Sequence, residues 1–316
     1  MRTLRFGGAA DQWATEALFD ASARVSLTAF ATAVTSPYWW PGLPGPGWRG
    51  SGEQMGHADL LGLGIGVLIA LATTPVGVSG AVFLLPVQLS LLNVPSPAVT
   101  PTNLLFNVVA VPGALARYRR AGHLNTPLAR QMVAGTVPGV VLGALVRVVA
   151  VPGARVFHLL LAFALLPLGV WLCARSLRGA ASAQDIPVRE PSRRVVTALA
   201  LGVGVVGGIY GIGGGSLLGP ILVGRGLPMA RVAPAALAST FLTSLAGALT
   251  YALLALTGRG NIAPDWQLGL MCGIGGLFGG YLGARLQPRL PERWLRLLLG
   301  AVAVALSVVY LVQGVA

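Results

Sequence analysis

The sequence predicts an all-α polytopic membrane protein of about eight transmembrane helices, in two four-helix repeats whose first helix is broken by glycines. The composition is the first observation: 55% of the residues are hydrophobic, 10% are charged, and the mean hydropathy is +0.76. A soluble domain is typically about one-quarter charged. The second observation is that the apolar runs are long. Helix is expected for them, since strand edges cannot face lipid and barrel strands are shorter.

The apolar runs follow a distinct N-terminal region. They occupy residues 60–91, 99–116, 130–150, 156–177, 195–223, 232–256, 267–284 and 294–314. We therefore divide the chain into an N-terminal extension (1–58), a first membrane repeat (59–177), a polar linker (178–194) and a second membrane repeat (195–316). The apolar run Val25–Thr35 in the extension is shorter than the roughly 20 residues that cross a bilayer. We expect either that translation starts at Met55 rather than Met1, or that residues 1–54 are poorly ordered.

An internal duplication is the third observation. A shift of 134 positions places Gly77 on Gly211, Gly80 on Gly214 and Pro86 on Pro220, and a shift of 140 places Gly143-Ala144 on Gly283-Ala284. Repeats with broken helices in corresponding positions are typical of secondary transporters. If each broken segment crosses the membrane once, the repeats share one orientation. If each contains a re-entrant half-helix, the crossing count changes, and the sequence leaves both arrangements open.

The glycine run Gly211-Ile212-Gly213-Gly214-Gly215 is the strongest local signal, and a weaker copy lies at Gly77–Ala81. Each glycine costs a helix about 1 kcal/mol relative to alanine, so this run should interrupt the helix. Backbone groups freed at membrane depth are tolerated where they are buried in protein or line a cavity. A helix that begins after such a break presents unpaired N–H groups and the positive end of its dipole, which suits an anion.

Acidic side chains are absent from the middle of the spans. Beyond residue 59 the chain contains Asp185, Glu190, Asp265 and Glu292 as its acids, and none of them lies in the middle of a span. Coupled carriers for cations usually need an intramembrane carboxylate, so metal transport and cation exchange are disfavoured. Arg147 lies near the end of its span, and we expect its side chain to reach the membrane interface.

Small polar residues remain at mid-depth. Asn103 and Asn107 stand one helical turn apart, and structural hydrogen bonding and pathway lining are both open for them. Ser and Thr also occur at helix interfaces for packing alone. The candidate substrate-pathway residues are Gly77, Ser79, Gly80, Thr102, Asn103, Asn107, Gly211, Gly213, Gly214, Gly215, Ser216, Ser239, Thr240 and Thr243, with Pro86 and Pro220 as helix-breaking prolines. We expect no catalytic residues, no metal site, no cofactor and no enzymatic activity.

The net charge of +13 does not indicate nucleic-acid binding. The arginines form short clusters between apolar runs, where loop arginines meet lipid headgroups. We expect a multi-pass protein of the cell (inner or plasma) membrane. The basic linker 178–194 favours cytoplasmic termini. The expected partners are a small anionic substrate and the lipid bilayer, and a homodimer is compatible with the sequence.

Several segments resemble the TauE/SafE sulfite exporter family, the four-transmembrane-duplication sulfite or sulfonate permeases. They are Gly211–Leu222, Pro75–Gly80 leading to Pro86, Pro101–Asn107 and Ala238–Ser244. The first-half copy departs from the pattern, since Ser79 and Ala81 stand where glycines are expected. The resemblance implies a permease for sulfite, a sulfonate or another sulfur-containing organic anion. The alternative is a membrane scaffold or assembly protein without a transported substrate.

Overall fold

The computed structural model describes residues 57–90, 94, 96–124, 127–149, 192–255 and 263–315, together with scattered residues between 159 and 177. The predictions made for residues 1–56, for most of the linker and for much of the span 156–177 lie outside these ranges. Residues Gln54–Ala316 belong to one compact unit.

The described residues form helices and contain no strand. The helices are α1 (His57–Thr73), α2 (Ala81–Ser90), α3 (Ser96–Arg120), α4 (Pro127–Val149), α5 (Arg193–Tyr210), α6 (Gly214–Gly224), α7 (Met229–Ala255), α8 (Trp266–Leu286) and α9 (Glu292–Val315). Helices α3, α4, α5 and α7 are long and apolar enough to cross a membrane, while α1 and α6 are shorter apolar helices. The predicted all-α membrane architecture is confirmed.

Local sequence accounts for two of the helix starts. The Ser192 side chain accepts a hydrogen bond from the backbone N–H of Val195 and caps α5, and the Asp265 carboxylate accepts one from Leu268 and caps α8. Such caps satisfy backbone donors that the first helical turn leaves open. Asp265, one of the four acids beyond residue 59, therefore has a structural role at a helix end.

The chain reverses direction between α5 and α6. A Cβ atom built on Gly214 would lie 3.4 Å from Cα of Gly204, and one on Gly207 would lie 2.9 Å from the nitrogen of Gly214. Gly207 and Gly204 precede Gly214 by seven and ten positions, and both lie next to it, so α6 folds back along α5. Helix α6 has 11 residues and spans about 16 Å, roughly half of the hydrocarbon thickness. The pair is therefore a re-entrant hairpin.

Helices α1 and α2 make the same kind of reversal. Gly80 packs on Ile69, since a Cβ built on Gly80 would lie 2.8 Å from the side chain of Ile69. Ala81 and Leu84 then share a core cluster with Ile65, so α2 also returns along the preceding helix. Both broken segments are thus helical hairpins with their turns at Gly77–Gly80 and Gly211–Gly213.

Helices α4 and α8 each pack on the opposite half of the chain. Gly135, Gly139 and Gly143 of α4 lie against Ala200, Gly204 and Gly208 of α5, in that order. Gly275, Gly279 and Gly283 of α8 lie against α1 in the same way, each 140 positions later. Small residues four apart allow the two backbones to approach closely. The fourth helix of each half therefore packs against the first helix of the other half.

The order of these contacts fixes the direction of the helices. Contacts advance together along α4 and α5, and likewise along α8 and α1, so each pair is parallel. Helices α3 and α7 are antiparallel, because Leu104 packs on Gly247 whereas Asn107, further along α3, bonds to Ser244. Helix α4 runs parallel to α7, as Thr136 meets Ser239 and Ala144 meets Tyr251. Helix α8 runs parallel to α3, since Gly269 packs on Leu105 and Gly273 on Val109. Because α3 is antiparallel to α7, it follows that α1 and α5 run in opposite directions.

The close approach of α8 and α1 makes a first testable prediction. We expect Gly279→Ala to lower the free energy of unfolding by about 1–3 kcal/mol, because the new methyl group would press on the backbone of Val67. Gly202→Ala is the matched control, since a Cβ there meets nothing within 4 Å. Thermal unfolding of the purified protein in detergent measures the difference. Equal melting temperatures for the two variants would contradict the packing described.

Candidate functional site

The turns of the two hairpins meet inside the protein. The backbone N–H of Ser79, just before α2, donates to Oγ of Ser216 in the first turn of α6 over 3.2 Å. Gly219 packs near the carbonyl oxygen of Gly77, with a built Cβ 3.5 Å away. The N-termini of α2 and α6 therefore point toward each other. The positive ends of both helix dipoles converge on one buried region.

Each hairpin turn begins at a glycine in the left-handed region, with φ of 71° at Gly77 and 70° at Gly211. Residues with a side chain rarely adopt this conformation. Space imposes a second requirement. A Cβ on Gly77 would lie 2.5 Å from Cα of Ala233 in α7, and one on Gly211 would collide with the carbonyl oxygen of Thr100 in α3. Each turn thus packs against a helix of the other half.

Hydroxyl groups surround the start of α6. The backbone N–H of Gly214 donates to Oγ1 of Thr243 over 3.2 Å, and Oγ of Ser216 donates to the carbonyl of Ile212 over 2.7 Å. Thr240 Oγ1 lies 3.4 Å from Oγ of Ser216, and its side chain packs on Gly213. The predicted glycines and hydroxyls of the second half therefore form one contiguous, buried group.

Asn107 is the hydrogen-bonding centre that joins the two halves. Its Oδ1 accepts from the hydroxyl of Ser79, and its Nδ2 donates to Oγ of Ser244 over 3.0 Å and to the carbonyl of Gly211 over 3.4 Å. These bonds hold the turn of one hairpin against the turn of the other. For Asn107, the structure thus supplies the structural bonding that the sequence left open.

Asn103 lies one helical turn before Asn107 and also carries an amide, but this amide makes no hydrogen bond to the protein. It is fully buried, and neither Nδ2 nor Oδ1 has a hydrogen-bond partner. Its Cβ atom lies 3.1 Å from a Cβ built on Gly211, so the amide is beside the second break. An unsatisfied buried polar group costs about 1–3 kcal/mol. The site thus contains a donor and an acceptor that the protein itself does not use.

A small cavity lies beside the first break. Its volume is about 10 Å³, which is roughly the space of one water molecule. Ser79, Gly80, Thr74 and Phe106 are among its lining residues. The described conformation therefore leaves room beside the first break for about one water molecule.

Three predicted residues lie elsewhere or act differently. Thr102 donates to the carbonyl of Ala98 and accepts from the backbone N–H of Asp265 over 2.8 Å, which places it at the start of α8. Pro86 and Pro220 do not break a helix, because α2 and α6 continue through them. The helical hydrogen bonds end instead at the glycines that precede each proline by several residues.

One residue outside the predicted pathway, Thr136, lies against the site. Thr136 of α4 shares a 2.8 Å hydrogen bond with Ser239 and contacts Gly214. In the sequence, Thr136 is distinguished only by its position beside the glycines of α4. That position alone does not indicate a substrate site. Arg147, in the last turn of α4, is buried, with 6% of its surface exposed, and its reach to the membrane interface stays a prediction. It lies on the face of α4 that packs against α5, and that face is covered by protein.

The described residues thus form a multi-pass helical membrane protein in which two hairpin turns converge on a buried group of polar side chains. The model of the sulfite exporter TauE/SafE family matches residues 62–310. The chain belongs to this family.

One curated relative extends the comparison. The chain is 28% identical over 257 residues to the "Probable membrane transporter protein y4hK" of Sinorhizobium fredii (strain NBRC 101917 / NGR234), covering 81% of this chain and 97% of the relative. No solved structure matches the chain significantly. Family and relative both describe a transporter rather than an enzyme.

Proposed function

We propose that this protein is a permease for a small sulfur-containing anion, such as sulfite or a sulfonate, which binds between the two glycine breaks. The observation that carries the proposal is the fully buried, unpartnered amide of Asn103 beside Gly211. The family description supports the substrate class, and the converging N-termini of α2 and α6 support a negative charge.

The chemistry of the site suits an ion that must bind and then leave. Backbone N–H groups, hydroxyls and an amide replace the hydration shell of the anion by hydrogen bonds. Asn103 supplies Nδ2–H, and the start of α6 supplies its dipole. Among the described residues no Asp or Glu side chain is buried, so no carboxylate repels the anion.

The arrangement of the hairpins supports a transport cycle. We propose that the two halves are inverted repeats, because corresponding contacts recur with α1 and α5 in opposite directions. Tyr118 bonds to the carbonyl of Thr74 and Tyr251 to that of Gly208; the tyrosines are 133 positions apart and the carbonyl residues 134. Inverted repeats with broken helices give a site near the bilayer midplane that can open to either side. We place the protein in the cell membrane. Because α1 and α5 run in opposite directions, the N-terminus and the linker before α5 lie on opposite sides under this proposal, so a cytoplasmic basic linker would not give the cytoplasmic termini expected from the sequence.

Flux in liposomes tests the proposal. The full chain is reconstituted and assayed with sulfite, thiosulfate, sulfoacetate and sulfate. We expect Asn103→Leu to reduce flux of the preferred anion about 10- to 100-fold, since a hydrogen bond to a charged group contributes about 1.5–3 kcal/mol. Its melting temperature should equal or exceed that of the wild type, because an unsatisfied buried amide is removed.

Two results would contradict the proposal. One is wild-type protein that moves none of the anions. The other is an Asn103→Leu variant that carries the anion at the wild-type rate. In the second case the permease activity would stand, and the substrate site would have to lie away from Gly211.

A further inference from the structure

We propose that one end of the helix bundle binds anionic phospholipids of the cytoplasmic leaflet and thereby orients the protein in the membrane. We call it the arginine end. It comprises the ends of α3, α6 and α8 and the starts of α4, α5 and α7. This surface follows from the helix directions and does not depend on the substrate.

The first hairpin turn shows which helix ends lie together. The hydroxyl of Tyr118, in the last turn of α3, and the side-chain amide of Gln287, directly after α8, both donate to backbone carbonyls of this turn. Ala233, near the start of α7, packs against Gly77 of the same turn. The ends of α3 and α8 and the start of α7 therefore lie at one end of the bundle.

The starts of α4 and α5 and the end of α6 lie there too. Thr136 meets Ser239 about three turns into the parallel helices α4 and α7, and Gly135 meets Ala200 about two turns into α4 and α5. These three helices therefore begin at the same level. Helix α6 folds back along α5 and ends at Gly224, shortly before the start of α7.

The ends of α3 and α8 carry five arginines. Arg117, Arg119 and Arg120 are in the last turn of α3. Arg285 is in the last turn of α8, and Arg289 is in the short 3₁₀ turn that follows it. All of them except the half-buried Arg117 are exposed.

Five more arginines belong to the other helix ends. Arg193 and Arg194 begin α5, and Arg130 is in the first turn of α4. Arg225 directly follows α6, and Arg231 is in the first turn of α7. All five are exposed.

The charge of the bundle is therefore one-sided. Among the described side chains, the opposite end carries Arg147, in the last turn of α4, and Asp265, at the start of α8. Beyond residue 59 the sequence contains four acids, too few to neutralise the ten arginines. Arginines next to membrane-spanning helices bind anionic headgroups and mark the cytoplasmic side. The arginine end therefore fits the anionic cytoplasmic leaflet.

The orientation of the chain follows from this surface. Helix α5 begins at the cytoplasmic side, whereas α1 ends at the arginine end and begins at the opposite side. The chain thus enters α1 from outside the cell, which differs from the cytoplasmic N-terminus expected from the sequence. If the protein is the proposed permease, the first glycine break is the one nearer to the cytoplasm. The second break packs on Thr100, near the start of α3, and is nearer to the outside.

Single cysteines test the orientation in spheroplasts of a bacterial expression host. His123→Cys lies in the exposed turn after α3, and Ala263→Cys lies before α8 at the opposite end. A membrane-impermeant maleimide should label Ala263→Cys in intact spheroplasts and His123→Cys only after permeabilisation. The wild type gives the background from Cys173 and Cys272, which lie within spans. Labelling of His123→Cys in intact spheroplasts would overturn the orientation.

Thermal unfolding in detergent tests the lipid surface. Phosphatidylglycerol should raise the melting temperature of the wild type more than phosphatidylcholine does, because a ligand that binds the folded state stabilises it. Glycerol phosphate without acyl chains should not. Replacing Arg120, Arg193, Arg194 and Arg285 together by Gln should remove most of the difference between the two lipids. Replacing the same four by Lys should keep it.

Equal shifts with both lipids in the wild type would overturn the lipid surface, and so would equal responses of the Gln and Lys variants. Stabilisation by glycerol phosphate would overturn it in favour of a site for soluble anions. Neither measurement requires flux. Wild-type protein that moves no anion but shows the expected labelling and lipid response would overturn the permease and support the arginine end.

Discussion

Gly214→Leu is expected to abolish anion flux while folded protein remains in the membrane. A Cβ atom at position 214 would lie 2.6 Å from Cβ and Cγ2 of Thr136 in α4. On the side of α5, the same Cβ atom would lie 3.4 Å from Cα of Gly204. A leucine must therefore push the start of α6 away from both helices. Because that start carries the N–H groups and the dipole end of the proposed site, the site itself is displaced.

Flux in liposomes and the amount of folded protein in detergent are measured together. Overpacking typically costs about 1–3 kcal/mol, so most of the protein should still fold. Gly202→Leu is the control, since position 202 is exposed on α5 and a Cβ there meets nothing within 4 Å. Wild-type flux through Gly214→Leu would contradict the site. It would instead favour a scaffold protein, which tolerates a filled break.

Asn107→Leu is expected to lower stability more than any other side-chain change at the site. Leucine removes the partner of the Ser79 hydroxyl, the Ser244 hydroxyl and the Gly211 carbonyl together. Each polar group left buried without a partner costs about 1–3 kcal/mol. A loss of about 3 kcal/mol would lower the melting temperature by roughly 6–12 °C for a protein of this size class.

Asn103→Leu provides the matched comparison, because it is the same substitution one helical turn earlier. Asn103 has no hydrogen-bond partner to lose, so its replacement should leave the melting temperature unchanged or raise it. The two variants are therefore expected to differ in stability and to share a loss of flux. If both melt at the same temperature, the separation of a structural amide from a substrate amide is wrong.

The features that could be predicted from the sequence are those that depend on short segments of the chain. Hydrophobic runs predict membrane helices because their length matches the bilayer, and the described helices lie within or next to the predicted spans. The hydroxyl-bearing residues Ser216, Thr240 and Thr243 are predicted from the sequence only as small polar residues at mid-depth, and in the structure they lie beside the start of α6. Thr102 follows the same compositional rule, yet it lies at the start of α8, since spacing along α3 does not say which neighbour each face meets.

The sequence by itself determines the class of protein, the positions at which helical hydrogen bonding stops, and the absence of acids from the span interiors. These are properties of short segments. Only the tertiary structure decides that α6 folds back along α5, that α4 and α8 pack on opposite halves, and that Arg147 is buried. The physical reason is that a glycine run sets where a helix ends. The direction that the chain takes next depends on the distant residues that pack against it, Ala233 at Gly77 and Thr100 at Gly211.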